Sequence, residues 1–277
     1  MASKEIKRIL YINPDATDKL NREHKEYIDK YISTGYEAEV KNIVYGGELP
    51  ACAYYTSVSV PYIVEEILKG EKEGFDAAIV ACFGNPGVKE AREVVRIPVI
   101  ALGESACHIA SLLGDTMAII TAGAKIQHRD FKLNDNYHHQ FCAAIRRDLR
   151  VSGLINRVVS IRCVNVSSAG GIAIIAERDL SEETELLVQQ GKKAIEEDGA
   201  DVLILGCAGM IGVAETMQKE LGVPVVDATL VALKVAEMLI SMGLTHSLLA
   251  YPFTNIRADE CPVIYPPTLK GYHGYRT

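Results

Sequence analysis

Short apolar runs alternate along this chain with longer stretches whose apolar positions recur every three or four residues. The run KRILYIN at 7–13, stopped by Pro14, predicts a first strand. Leu20, Tyr27, Ile28, Tyr31 and Ile32 then recur at helical spacing across 17–32, and Gly35 closes the helix. A second strand over 39–45 ends at Gly46-Gly47, and an amphipathic helix over 58–73 carries Pro61 in its first turn, where proline is tolerated. A strand at 76–81, a helix at 88–95, a strand at 98–102 and a helix at 104–113 complete a first series. The second series runs strand 116–121, helix 136–149, strand 158–164, helix 181–197, strand 202–205, helix 213–221, strand 223–226 and helix 230–241. Ser181, Glu182 and Glu183 open the helix at 181, where acidic groups meet the positive end of the helix dipole. The tail 251–277 is rich in Pro and Tyr, has no periodicity, and is expected to wrap over the surface or reach a partner subunit.

Alternating strands and helices predict an α/β protein of parallel sheets covered by helices on both faces. The series also repeats. The stretch FDAAIVACFGNPGVKEAREVVRIPVIAL, 75–102, matches ADVLILGCAGMIGVAETMQKELGVPVVDA, 200–228. Cys82 stands six residues after Asp76, and Cys207 six residues after Asp201. Pro98 and Pro224 follow at nearly equal distances. Two pseudo-symmetric units are expected, each delivering a thiol from the carboxyl end of a strand, which is where open parallel sheets bind ligands.

A thiol between a strand end and a helix start should feel the helix dipole, which favours thiolate and lowers its pKa from about 8.5 toward neutral or below. A thiolate can take a proton from a carbon next to a carbonyl, and a thiol on the opposite face can return one, inverting the carbon. Backbone N–H groups beside Gly84, Gly87, Ala208, Gly209 and Gly212 are then candidates to hold the enolate oxygen. The scheme requires neither metal nor organic cofactor. Cys52, Cys107, Cys142, Cys163 and Cys261 have no matching partner position and read as packing residues.

Composition narrows the class. The 277 residues are 48% hydrophobic, enough to bury a full core. A net charge of −7 argues against nucleic acid and anionic membrane as partners. Seven scattered cysteines without a CxxC pair argue against a disulfide framework or structural zinc and for reduced thiols in the cytoplasm. The N-terminus is too polar for a signal peptide, and no run reaches the roughly 18 apolar residues of a membrane span.

The pattern ACFGNPGVKEARE followed by IPVIALGESA, together with LGCAGM downstream, resembles the hydantoin and allantoin racemase branch of the aspartate/glutamate racemase superfamily. GGELPACAYYTSVSVPYIVEEI and the opening ILYINPDAT resemble further segments of that branch. The resemblance implies two lobes with the active site in the cleft between them. The first is 1–113, completed by the returning C-terminal segment 229–277, and the second is 114–228. It also implies a cofactor-independent racemase or epimerase in which Cys82 and Cys207 are acid and base. Asn13, Phe83, Gly84, Asn85, Ala208 and Gly209 would hold substrate, with Thr121 ending the strand that opens the second half. The substrate is expected to be a small carbon acid, a hydantoin-type ring or an amino-acid derivative, and the enzyme a homo-oligomer. The chain departs from the family at Asn85, where Asp is frequent, at Asp15, where Asn is frequent, and at Thr121-Ala122, where a hydroxyl pair is usual.

Other features have two readings. Asn13 and Asp15 bind substrate or form an Asx turn that caps the next helix. Tyr54 faces the ligand or packs. His128, His138 and His139, near Asp130 and Asp135, have poor spacing for a metal and read as a solvated loop, which with Lys125, Arg129 and Lys132 is a candidate lid. Ala169-Gly170-Gly171 is not a nucleotide fingerprint. Two other functions remain open: a cysteine-dependent lyase or cis-trans isomerase of the same fold, and a non-catalytic two-lobed metabolite-binding protein.

Overall fold

A computed structural model describes residues 6–46, 53–123, 140–165 and 180–252. The histidine-bearing segment with Lys125, Arg129 and Lys132, the Ala169-Gly170-Gly171 stretch, Cys52, Cys261 and the tail beyond 252 lie outside the described residues. In chain order the elements are β1 (Lys7–Asn13), α1 (Asn21–Tyr31), β2 (Tyr36–Asn42), α2 (Ala53–Lys72), β3 (Ala77–Val80), α3 (Val88–Arg92), β4 (Val99–Ala101) and α4 (Leu102–Ala110). There follow β5 (Met117–Gly123), α5 (Gln140–Val151), β6 (Val158–Asn165), α6 (Leu180–Glu196), β7 (Val202–Leu205), α7 (Ala214–Leu221), β8 (Val225–Asp227) and α8 (Ala228–Met242).

The strands form two parallel four-stranded sheets, ordered β2-β1-β3-β4 and β6-β5-β7-β8. These orders are the same once each series is numbered from its own first strand. The reason for the Asp–Cys spacing is visible at the sheet bottoms. Asp76 accepts the backbone N–H of Arg8 at 2.8 Å, and Asp201 that of Thr116 at 2.9 Å. Each carboxylate therefore pins the start of the central strand against the strand that carries the thiol. The matching prolines play equivalent parts: the Pro98 carbonyl accepts from Ala78 and the Pro224 carbonyl from Leu203, both at 2.9 Å.

Strand alternation sorts the apolar residues into layers. Ile9 and Tyr11 of β1, Ala77 and Ile79 of β3, Met117 and Ile119 of β5, and Val202 and Ile204 of β7 share one central core. Their alternates face outward. Leu10, Ile12, Ala78 and Val80 pack under α2 and α3, while Ala118, Ile120, Leu203 and Leu205 pack under α6 and α7. Between the sheets α4 and α8 pack on each other, α8 also contacting β3 and β4 and α4 contacting β7 and β8. Each helix thus leaves its own series to cover the other's sheet, and the thiol-bearing strand ends are held against one shared core. No helix among the described residues is long and apolar enough to cross a membrane.

Candidate active site

The two cysteines sit at equivalent points of the two sheets. The N–H of Ala81 donates to the Ile12 carbonyl at 2.8 Å, and that of Gly206 to the Ile120 carbonyl at 2.7 Å. One residue later comes the thiol, followed by the same tight turn. The Cys82 carbonyl accepts from Asn85 N–H at 3.0 Å and the Cys207 carbonyl from Met210 N–H at 3.1 Å. Both cysteines are partly accessible. They are near enough for negative charge on Cys207 to raise the pKa of Cys82, and Asp15 acts in the same sense.

The helix-dipole expectation is corrected for Cys82. α3 begins six residues after Cys82 and has five residues; α7 begins seven residues after Cys207. Neither thiol caps a helix. Burial instead pushes the Cys82 thiol up to about 12, against the opposing pull of a hydrogen bond from the Gly84 N–H. That shift favours the protonated form of Cys82.

Asp15 is 5% exposed, and its Oδ1 has no hydrogen-bond partner among the described residues. Burial raises its carboxyl from 3.8 to about 7. The folded chain holds this proton up to about pH 7, whereas the unfolded chain releases it near 3.8. Stability from this residue is then full below 3.8 and falls as pH rises toward 7. Asp15→Asn should accordingly gain stability relative to the native chain across that window, by up to about 4 kcal/mol, and hold a constant lead above it. Urea titrations at successive pH values measure this; a lead that shrinks with rising pH would contradict the buried carboxyl.

Three of the residues that the resemblance assigns to substrate binding, Asn13, Asn85 and Thr121, make hydrogen bonds that support the thiol-bearing turns. The Asn13 side chain is buried, its amide lying 2.6 Å from that of Asn21 and 2.8 Å from His24 Nδ1. His24 Nε2 donates to the Ala208 carbonyl at 3.2 Å, and the Thr229 hydroxyl donates there too at 3.4 Å. Thr121 donates to the Gly206 carbonyl at 2.9 Å, directly before Cys207. Phe83 is buried in the central core. Gly84 and Gly209 lie inside the two turns. Tyr54, in the first turn of α2, is 68% exposed.

Asn85 adopts φ 51° and turns its Oδ1 to the N–H groups of Gly103 and Glu104, at 2.9 and 3.3 Å. It caps α4 from another segment, since Ala101 at the cap position offers no side-chain acceptor. Its side chain also hydrogen-bonds Asp148 of α5. With Phe83 it walls a cavity of about 430 Å³ against α4 and α5 that neither Cys82 nor Cys207 lines. Asn85→Ala removes the cap and keeps the left-handed backbone, so a loss of about 1–3 kcal/mol is expected in a urea titration. Asn85→Asp, which retains the acceptor, should lose less.

His24, Asn21 and Thr229 went unread in the sequence. A signal for His24 was present: it continues the stripe Leu20, His24, Ile28 at four-residue spacing, and a polar ring on a buried stripe needs partners. Tyr27, on the same helix, donates to Asp227 at 2.7 Å, adding a second tie from the first series to the end of β8. Among the described residues no group of three or more His, Cys, Asp or Glu is arranged to hold a metal ion.

A family model described as Asp/Glu/hydantoin racemase matches residues 9–236. A hydantoin racemase of a Pseudomonas species is 38% identical over 192 residues, 69% of each chain. One from Paenarthrobacter aurescens is 31% identical over 237 residues, 85% of this chain and 92% of that one. The crystal structure of an allantoin racemase from Pseudomonas fluorescens superposes with a TM-score of 0.77 at 27% identity, covering 90% of this chain and 98% of that one. With paired thiols at equivalent strand ends and a family match that takes in both of them, the chain belongs to the Asp/Glu/hydantoin racemase family and is an isomerase of the racemase type.

Proposed function

We propose that the protein is a cofactor-independent racemase that inverts a carbon next to a carbonyl by proton transfer between Cys207 and Cys82, on a hydantoin-type ring or a related amino-acid derivative. The observation that carries this reading is the pair of thiols at equivalent positions of two sheets, each within reach of the other's charge. Two thiolates so close repel, so the two sulfurs do not both carry charge at once. Cys82, pushed up to about 12, takes the thiol role in the resting enzyme. In the forward step the Cys207 thiolate removes the proton: the C–H bond breaks, an S–H bond forms, and the electron pair passes to the carbonyl oxygen as an enolate. The Cys82 S–H then breaks as a C–H bond forms on the other face. The sulfurs have exchanged states, and solvent resets them.

Support for a cyclic, N–H-bearing substrate comes from Asp15. A buried carboxyl oxygen with no partner among the described residues, Asp15 Oδ1, invites a donor, and the ring or ureido N–H of a hydantoin or of allantoin is one. A neutral ring is also an easier carbon acid than a free amino acid, whose carboxylate resists further negative charge. The curated relatives named above act on hydantoins and the structural relative on allantoin, in keeping with this class. The test is turnover in deuterated water of optically pure 5-substituted hydantoins, allantoin and free amino acids, followed by polarimetry and NMR. Loss of optical rotation with one deuterium at the inverted carbon is expected for the cyclic substrates. Inversion without solvent deuterium, or loss of a fragment in place of inversion, would overturn the reading.

A further inference from the structure

Outside the site two other cysteines meet. Cys142 lies on the buried stripe of α5 with Ile145 and Leu149, and is 1% exposed. Cys163 lies in β6, in register with Thr121 of β5, and is partly accessible. Their sulfurs are 3.1 Å apart. A disulfide bond is about 2 Å long, so the two sulfurs have to approach by about 1 Å for the bond to form. In sequence the pair shows nothing, because the residues are 21 positions apart on a helix and a strand.

We infer that Cys142 and Cys163 are a modification site: a thiol pair that closes reversibly to a disulfide on exposure to peroxide, tying α5 to β6. The local electrostatics suit the chemistry. The hydrogen bond from Cys163 lowers the Cys142 pKa against its own burial, with help from the Arg146 guanidinium, while the hydrogen bond to Cys142, then burial and the charge on Cys142, raise that of Cys163. Cys82 and Cys107 are both driven up by burial, to about 12, and are poor nucleophiles at neutral pH. The Cys142 thiolate attacks one peroxide oxygen, the O–O bond breaks, and a sulfenic acid and hydroxide form. The Cys163 sulfur then attacks the Cys142 sulfur and expels the second hydroxide. The two thiol protons convert both hydroxides to water, so two thiols lose two electrons and one peroxide gains them.

The bond would sit behind both loops of the site. α5 carries Asp148, hydrogen-bonded to Asn85 of the Cys82 turn. β6 pairs with the strand whose Thr121 holds the carbonyl before Cys207. The test needs no substrate and so is independent of the racemase proposal. The full chain is treated with excess hydrogen peroxide, quenched with an alkylating reagent and mapped by mass spectrometry. Expected is a cross-linked peptide joining Cys142 to Cys163, about 2 Da lighter than the two thiol peptides together and split by a reductant. In Cys142→Ser, its fold checked by thermal melting, Cys163 should remain alkylatable after peroxide; should that variant not fold, the map of the native chain decides. Alkylation of both cysteines as in untreated protein, or either one linked elsewhere or over-oxidised, would overturn the inference.

Discussion

Alanine at Cys82 or at Cys207 should each lower racemisation by roughly 10²–10⁴-fold, because in the proposed mechanism each removes the group that moves a proton on one face. The two variants should nevertheless differ in what survives. Cys82→Ala leaves the base and removes the acid. One enantiomer should still exchange its proton with deuterated water, with retention, because the Cys207 side can abstract and return on the same face. Cys207→Ala leaves a thiol that burial holds near 12, so exchange from the Cys82 face should be weak at neutral pH and recover toward alkaline pH. NMR of each optically pure enantiomer in deuterated water separates these outcomes. Undiminished inversion by either variant would remove the thiol pair from the mechanism. Equal exchange of both enantiomers by a single-cysteine variant would show that the two sulfurs do not face opposite sides of one carbon.

The strands and helices were legible because each buries a face at its own period. β7 matches its expected span, 202–205, and most other elements lie within a few residues of theirs. β2 slipped most among the strands. The apolar run Ile43, Val44, Tyr45 draws the strand toward its end, but pairing with β1 follows the register Lys7 to Tyr36 and stops at Asn42, since β1 itself stops at Asn13. The paired thiols were legible because duplication wrote them twice. The supports around them were not. The His24 to Ala208 contact spans 184 positions, and the Asn85 cap on α4 joins a turn to a helix that lacks its own capping side chain. Asn13, Asn85 and Thr121, which the resemblance assigns to substrate binding, turn their side chains to backbone groups and other side chains around the thiol-bearing turns. The cysteine pair Cys142–Cys163 has no sequence signature because neither residue has a repeat partner. The expected fall in the Cys82 pKa failed for a physical reason: a short distance in sequence to a helix is not contact with its N-terminus, and desolvation prevails where the dipole is absent.

Substitution of His24 should slow the reaction without touching either sulfur, and by different amounts for two conservative replacements. His24 links Asn13, at the end of β1, to the Ala208 carbonyl in the turn that carries Cys207. Both ring nitrogens face oxygens, at 2.8 and 3.2 Å, yet a neutral imidazole has a single N–H. Burial lowers the ring to about 4, so it is neutral at working pH and cannot donate to both. The amides of Asn13, Asn21 and Asn42 form a row ending at the Ile43 carbonyl, and turning the row over gives Nδ1 a donor. The mismatch then passes outward to Asn42, which is partly accessible and can be satisfied by water. In that arrangement Nε2–H belongs to Ala208, and His24 is a positioning residue for the Cys207 turn. Gln places an amide N–H near the Nε2 position; Asn reaches only the Nδ1 position. His24→Gln should therefore stay within about tenfold of native kcat, whereas His24→Asn should fall about 10²-fold, the effect expected of a displacement of about 1 Å at a reacting group. KM should move little in either, and the alkylation rate of Cys207 should change more in His24→Asn than that of Cys82. Equal losses in the two variants with both alkylation rates unchanged would reduce His24 to a packing residue, whereas the expected inequality would place control of the Cys207 thiol on a helix of the opposite half of the chain.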